Sequence, residues 1–213
     1  MQALKRALDR AEARISKLPD HVLTMEGMSG VKYRHLINNL IEALPAARYL
    51  EVGSWAGSTL CSAIHGNRVT AVAIDDWSQF GGPVGAFRDN VSRSLSRETA
   101  VTVLSQDFRT VDYAALGRFN VYLFDGPHEE ADHHDGLTLP LPCLDDQFVF
   151  IVDDWNWARV RRGTEAAIAR LGLTVRARIE VRTTDDDSHP AISGPDSDWH
   201  NGCFIGVLEK SSA

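Results

Sequence analysis

The sequence predicts a doubly wound α/β fold, in which helices cover both faces of a mostly parallel sheet. Five short apolar runs, each about as long as a strand, lie between residues 47 and 154, and stretches long enough for a helix separate them. Such alternation requires crossover connections, which place helices on both sides of a parallel sheet. The length of 213 residues fits one domain with a self-sufficient core.

Two helices are predicted before the sheet. Residues 1–20 are amphipathic and rich in charge, and residues 31–44 place apolar side chains at helical spacing and stop before Pro45. We expect residues 1–45 to form N-terminal helices that pack on residues 46–213, the whole chain being a single domain.

The predicted strands follow in chain order. The first five are 47–54, 68–75, 100–107, 119–126 and 147–154, and two more cover 174–183 and 202–210. The last two are joined by a loop rich in Asp, Ser and Pro, with no helical pattern between them. We therefore expect them to pair antiparallel at the edge of the sheet.

The composition of the chain indicates which classes of partner it binds. Hydrophobic residues are 44% and charged residues 24% of the chain, and no apolar run approaches the length of a membrane span. The formal charge of −7 argues against a nucleic-acid surface. The first 20 residues lack the apolar segment of a secretory signal, and the three widely spaced cysteines fit reduced thiols. We expect a cytoplasmic protein with a small-molecule partner and no nucleic-acid or membrane partner; a homo-oligomer is compatible with the sequence.

Acidic residues end most of the predicted parallel strands. Ligands of open α/β sheets bind outside the carboxyl ends of the strands, so these acids predict a site at one rim. The tripeptide Asp-Asp-Trp occurs twice, at 75–77 and 153–155, but the flanking residues share nothing. We interpret the two copies as two strand ends of one sheet rather than as an internal repeat.

A glycine-containing turn follows the first predicted strand. In "LEVGSWAGSTL" (50–60), Gly53 and Gly57 permit a tight turn and a close approach by a ligand. The spacing differs from the Gly-x-Gly-x-x-Gly of dinucleotide enzymes. Asp75 lies 22 residues beyond Gly53, where a carboxylate can accept ribose hydroxyls. Turn and acid together predict an adenosine-type ligand.

These segments, together with "FDGPHEEADHHD" and "VFIVDDW", resemble the class I S-adenosylmethionine-dependent methyltransferases. The resemblance is closest to the small branch of macrocin-type and catechol-type O-methyltransferases. It implies a Rossmann-like sheet of seven strands with an antiparallel last strand. One departure is "LDDQ" (144–147), which stands where the family usually has Gly-Gly before the fifth strand.

The resemblance also implies a cofactor pocket for S-adenosylmethionine (SAM). Its methionine end would be shaped by the glycine turn, its ribose held by Asp75, and its adenine would lie near Asp107. The residues expected to bind the cofactor are Glu51, Gly53, Ser54, Gly57, Ser58, Asp75, Asp76, Asp107 and Asp125.

Three carboxylates, those of Asp125, Asp153 and Asp154, end the fourth and fifth predicted strands. Hard oxygen ligands in this number suit Mg²⁺ or a similar divalent cation. Successive strand residues point to opposite faces, so Asp153 and Asp154 converge only if the chain leaves strand geometry there. The alternative is structural, with one acid capping the next helix and another pairing with an arginine.

Asp125 and His128 are the predicted catalytic residues, because either could accept the proton of an acceptor hydroxyl. We expect Trp155 near the site, and His133 and His134 on a solvated helix face. Residues 77–94, which are glycine-rich and then helical, and the loop 184–200 are predicted to fold over the site.

The predicted function is SAM-dependent O-methylation of a small hydroxylated molecule, and a divalent metal is a candidate cofactor of the reaction. Three alternatives stay open at this point. They are a metal-independent methyltransferase, a dinucleotide-dependent oxidoreductase, and a cofactor-binding module without catalysis.

Overall fold

A central β-sheet between two helical layers organises the part of the chain that the computed structural model describes, residues 2–211. The helices are α1 (Gln2–Glu12), α2 (Asp20–Leu23), α3 (Val31–Ala43), α4 (Ser58–Ile64), α5 (Val84–Ser94), α6 (Glu130–Thr138) and α7 (Ala158–Arg170). The strands are β1 (Ala47–Val52), β2 (Val69–Ile74), β3 (Thr99–Leu104), β4 (Phe119–Phe124), β5 (Leu144–Asp153), β6 (Thr174–Val181) and β7 (Cys203–Glu209). Short 3₁₀ turns lie at Phe108–Thr110, Tyr113–Ala115, Leu141–Cys143 and Gly194–Asp196.

Within the described residues, the sheet has seven strands in the order β3-β2-β1-β4-β5-β7-β6. The pairs from β3 to β5 are parallel, and β7 is antiparallel to both β5 and β6. The predicted fold class, including the antiparallel last strand, is confirmed. Since β6 runs parallel to β5, the connection from β6 to β7 emerges at the rim where β1 to β5 end.

The core is divided by the sheet into two clusters. Alternate residues of one strand enter different clusters, as Tyr49 and Leu50 of β1 do. The helices α1, α3, α4 and α5 cover one face, while α6 and α7 cover the other. Residues 33–41 of α3 are all buried, because α1 and α4 both pack on this helix.

Two local expectations are corrected. The segment "LDDQ" is not a turn, because Leu144 already begins β5. Asp145 in this segment pairs with Arg48 and Arg118, which stabilises an acidic residue at the start of a strand. The predicted first helix over residues 1–20 ends at Glu12, and residues 13–30 form the short helix α2 and irregular chain that reaches the rim where β1 to β5 end.

Among residues 2–211, no helix combines the length and apolar content that a membrane span requires.

Candidate functional site

A cavity of about 510 Å³ opens at the carboxyl ends of the parallel strands. Its walls come from the ends of β1, β2, β4 and β5, from loops after β2 and β3, and from the connection before β7. The residues that line it include Met28, Gly53, Trp55, Asp75, Asp76, Phe80, Asp107, Asp125, His128, Asp153, Asp154, Trp157, His189 and His200. The structure thus brings most of the predicted site residues to one cavity.

Gly53 allows the chain to pass closely between β1 and β4. Its φ is +83°, in the left-handed region, and a Cβ here would lie 1.8 Å from the carbonyl oxygen of Asp125. A side chain at position 53 would therefore push the β4 end out of place. This is the physical reason for the glycine that the sequence placed after the first strand.

Asp75 fixes the turn after β1 to the end of β2. Its carboxylate accepts hydrogen bonds from the backbone N–H groups of Ser54 and Trp55, each at 2.8 Å. It also accepts one from the N–H of Trp77, at 2.6 Å. Asp75, which was predicted to bind the ribose, therefore also stabilises this turn, and it borders the cavity.

Glu51 lies beneath the same turn and does not line the cavity. It is fully buried and accepts hydrogen bonds from the hydroxyls of Tyr49, at 2.5 Å, and Ser54, at 2.7 Å. Burial raises the pKa of Glu51 to about 7, against the opposing effect of these hydrogen bonds. Ser54, Gly57 and Ser58 also lie behind the cavity wall, so these four predicted cofactor residues support the turn rather than line the pocket.

Asp76 and Asp107 stand at the rim of the cavity. Asp76 accepts hydrogen bonds from the backbone and hydroxyl of Ser78, at 2.9 and 2.7 Å. Asp107 accepts one from the N–H of Arg109, at 2.9 Å. Both carboxylates thus order the loops that follow β2 and β3.

A cluster of two acids and a histidine also lines the cavity. The Nε2 atom of His128 lies 2.6 Å from an oxygen of Asp154 and 3.7 Å from an oxygen of Asp125. One ligand atom of each of the three residues lies within 4.8 Å of the others, a spacing that could hold a metal ion. Asp125 and Asp154 of the predicted metal set are therefore brought together, with His128 as the third member.

Asp153 lies outside this group of three although it borders the same cavity. It is the last residue of β5, and its carboxylate accepts the backbone N–H of Asp154 at 2.9 Å. Asp154 has a φ of +57°, so the chain leaves strand geometry at this residue. That departure turns the Asp154 carboxylate toward His128.

The charged groups of the cluster shift one another's pKa values. Burial opposes the charged form of His128, but Asp125 and Asp154 outweigh it and raise the pKa of His128 to about 10. Burial raises the pKa of Asp125 to about 6. Burial also acts on Asp154, but its hydrogen bond to His128 holds the pKa of Asp154 below the ordinary value. Burial and the neighbouring acids Asp125 and Asp154 raise the pKa of Asp153 well above its usual range.

Two residues just before β7, His200 and Asn201, lie next to this cluster, and they were not predicted from the sequence. The side-chain amide of Asn201 donates to the second oxygen of Asp154, at 2.6 Å. His200 lines the cavity, and its Nδ1 accepts the backbone N–H of Gly194 at 2.9 Å, which leaves the proton on Nε2. Burial lowers the pKa of His200 to about 4, so it is neutral at pH 7. The sheet topology could have indicated these residues, because an antiparallel strand begins at the rim where its parallel neighbours end.

Aromatic residues, some of them from the two predicted loops, also line the cavity. The indole N–H of Trp55 donates to the carbonyl of Phe80 at 3.0 Å, which ties the loop after β2 to the glycine turn. Trp157 packs edge-on against His128, with ring centroids 5.3 Å apart, and His189 packs against His200 at 5.1 Å. Both predicted loops therefore border the cavity.

Two expectations about aromatic residues were wrong. Trp155 is not at the site, because the left-handed turn at Asp154 directs it into the core, where it packs on Phe204. His133 is not on a solvated face but is 2% exposed, packed edge-on against Phe124. Neither ring nitrogen of His133 has a hydrogen-bond partner among residues 2–211, and burial lowers its pKa to about 3. His134 is partly exposed, as expected.

The comparisons with known proteins bear on the fold. No protein-family model matches the chain, and no curated protein matches it by sequence. Among solved structures, the chain is similar to cofactor-bound Rv0187 from MTB, at 16% identity and a TM-score of 0.61 over 99% of this chain and 91% of that one. It is similar to the O-methyltransferase TomG from Streptomyces achromogenes in complex with SAM, at 16% identity and a TM-score of 0.58 over 98% and 90% of the two chains. An O-methyltransferase from Bacillus cereus in complex with SAH (S-adenosylhomocysteine) gives 13% identity and a TM-score of 0.56 over 98% and 91%. The resemblance to class I methyltransferases is thereby confirmed at the level of the fold.

Proposed function

We propose that the protein is a SAM-dependent O-methyltransferase that acts on a small hydroxylated molecule. The observation that carries the proposal is one cavity lined by two chemically different sets of residues. One set is the glycine turn with Asp75, and the other is the cluster of Asp125, His128 and Asp154. A methyl transfer needs a cofactor site and a proton-accepting acceptor site in contact, and the presence of both sets in one cavity supports the proposal. The fold shared with solved O-methyltransferases supports the same proposal.

The first set of residues, the glycine turn with Asp75, fits SAM. The volume of about 510 Å³ is within the range of small-molecule sites. A carboxylate has roughly four lone-pair positions, and backbone N–H groups use three of them at Asp75, so about one remains for a ribose hydroxyl. With the ribose at Asp75 and the methyl group directed at Asp125, we infer that the amino-acid end of SAM would lie against the Gly53 turn and Met28, which line the same cavity.

When bound, SAM supplies an activated methyl group on a cationic sulfur. The protein's own residues would then align the acceptor oxygen and manage its proton. Asp125, with a pKa of about 6, is ionised at neutral pH and is the base of choice, its carboxylate oxygen accepting the hydroxyl proton. His128, with a pKa of about 10, is already protonated and is suited to stabilise the negative charge that develops on the acceptor oxygen. The loops that carry Phe80 and His189 would exclude water.

A divalent cation also fits the cluster. Asp125 and Asp154 would offer carboxylate oxygens and His128 an imidazole nitrogen. Imidazole is a better ligand for Mn²⁺, Fe²⁺ or Zn²⁺ than for Mg²⁺, so Mn²⁺ is the first ion to test. Such a cation would supply positive charge that lowers the pKa of the acceptor hydroxyl. The metal-independent alternative is favoured by the ion pair of His128 and Asp154, which already supplies positive charge at that place.

The test is a methyl-transfer assay with isotopically labelled SAM and a panel of phenols, catechols and sugars. The protein is assayed after dialysis against EDTA, and again with Mn²⁺ or Mg²⁺ added, alongside an Asp125→Asn variant. Transfer by the wild type and loss of about 10²-fold or more in the variant support the proposal. Activity that EDTA leaves unchanged supports the metal-independent form. SAM binding without transfer to any acceptor would favour a cofactor-binding module, and the absence of SAM binding would refute the proposal.

A further inference from the structure

Arg34 is a buried cation that the proposed chemistry does not use. It lies on α3, its side chain is fully buried, and it reaches away from the sheet into the N-terminal chain. Its guanidinium donates to the backbone carbonyls of Val22, Leu23, Met25, Gly27 and Ser29 and to the hydroxyl of Ser29, at 2.9 to 3.5 Å. One side chain therefore holds five carbonyls along the 22–29 segment, including the last carbonyls of α2, which the helix itself leaves unpaired.

No carboxylate among residues 2–211 forms an ion pair with Arg34. Burial lowers the pKa of Arg34 to about 10, so the group stays charged at neutral pH. A buried charge without a counter-ion is costly, and an apolar side chain of similar size would serve the core better. The fixed fork of donors is what an apolar side chain cannot supply, and it determines the path of the 22–29 segment.

The 22–29 segment reaches the cavity at the glycine turn. Met28 lines the cavity, and the hydroxyl of Ser29 lies 2.8 Å from that of Ser58, in the first turn of α4. A Cβ at Gly27 would lie 2.3 Å from the Ser58 hydroxyl, so the segment is pressed against this turn. The carbonyl of Gly27 also lies close to Gly194, in the loop that carries His200. Since Met28 belongs to the cavity wall, displacement of the segment would open the wall at this residue.

We propose that Arg34 is a positioning residue that holds the 22–29 segment as the wall of the cofactor's amino-acid end. The inference rests on the proposed function, because it assigns that wall to SAM. It adds a specific consequence, since the wall touches the amino-acid moiety and leaves the adenosine moiety, at Asp75 and Asp107, to other residues. Arg34 would then control affinity for the whole cofactor but not for its nucleoside half.

Titration calorimetry with two probes tests this assignment. The probes are S-adenosylhomocysteine, which carries the amino-acid end, and 5′-methylthioadenosine, which lacks it. The variants are Arg34→Met, which removes charge and donors, and Arg34→Lys, which keeps the charge but has fewer donors. Arg6→Met is the matched control, because Arg6 is exposed on α1. Circular dichroism and thermal unfolding establish that each variant is folded at the assay temperature.

We expect Arg34→Met to weaken S-adenosylhomocysteine binding by about tenfold or more and methylthioadenosine binding by less than about threefold. Arg34→Lys should lie between wild type and Arg34→Met, and Arg6→Met should bind both probes as the wild type does. If Arg34→Met does not fold, the same selective loss is required of Arg34→Lys.

Two results would overturn the inference. One is unchanged S-adenosylhomocysteine affinity in a folded Arg34 variant, which would make the arginine purely structural. The other is an equal loss for both probes, which would mean that the segment does not border the amino-acid end. Failure of the wild type to bind S-adenosylhomocysteine is a separate outcome, which refutes the proposed function on which the inference rests.

Discussion

Replacing Asp154 by Asn tests the charge pattern of the cluster of Asp125, His128 and Asp154. In the wild type, one Asp154 oxygen accepts from Asn201 and the other faces Nε2 of His128, both at 2.6 Å. An amide has a single acceptor oxygen, so in Asp154→Asn one of these two donors must meet an N–H group. The conflict disappears if His128 gives up its Nε2 proton. We therefore expect the variant to favour neutral His128.

The magnitude follows from the lost contact. Asp125, at 3.7 Å, remains near His128, so the pKa of His128 should fall from about 10 without dropping far below its ordinary value. We expect a fall of about two units or more, equivalent to roughly 3 kcal/mol. Since His128 has a higher pKa in the folded state than the unfolded value of 6.5, its contribution to stability is full below about pH 6.5 and lost as pH rises toward about 10. In Asp154→Asn, the free energy of unfolding should not show this decrease between about pH 6.5 and 10.

The assays are histidine NMR titration and urea unfolding of the EDTA-treated protein between pH 6 and 10. At pH 7 we expect Asp154→Asn to destabilise the protein by about 2–4 kcal/mol, the scale for breaking a buried ion pair. Asp146→Asn is the control, because this side chain is 90% exposed and pairs with Arg118 at the surface, so its effect should stay under about 0.5 kcal/mol. A His128 pKa that remains near 10 in Asp154→Asn would refute the reasoning.

Three further predictions concern neighbouring residues. Asn201→Leu removes the donor that fixes Asp154, and steady-state kinetics should show kcat reduced by about tenfold with S-adenosylhomocysteine affinity within about twofold of wild type. The rate should rise as pH passes about 6, because Asp125 must be ionised to accept a proton; a pH–rate profile without this limb, or the same limb in Asp125→Asn, would contradict its role. Gly53→Ala should cost about 3 kcal/mol or more in urea unfolding because its Cβ meets the Asp125 carbonyl, whereas Gly81→Ala, at φ +77° in open space, should cost only about 1 kcal/mol. Equal costs for the two glycines would contradict the packing argument.

The fold could be predicted from the sequence because its main signals are local. Apolar runs of strand length, helical spacing between them and a helix-free ending are each readable within a short window. The boundaries were less certain at β5, where the acidic "LDDQ" was interpreted as a turn. In the structure, Asp145 of this segment pairs with Arg48 and Arg118, which are distant in sequence and supply the compensating charge.

The candidate site could be predicted only in part. Strand-end acids such as Asp75 and Asp125 were found because a parallel sheet brings strand ends to one rim. Trp155 was misplaced because a single left-handed residue, Asp154, reverses the direction in which the following side chain points. Met28 and Arg34 gave no local signal at all, since their contribution arises from the packing of the N-terminal chain against α4.

The central claim is that the cavity beside Gly53 and Asp75 binds SAM. The most direct measurement is titration calorimetry of S-adenosylhomocysteine into the EDTA-treated wild-type protein, with NADH titrated in parallel. The account predicts saturable binding of one S-adenosylhomocysteine per chain and no heat of binding for NADH. Absence of S-adenosylhomocysteine binding, or equal binding of NADH, would contradict the account and leave a doubly wound domain whose ligand is of another class.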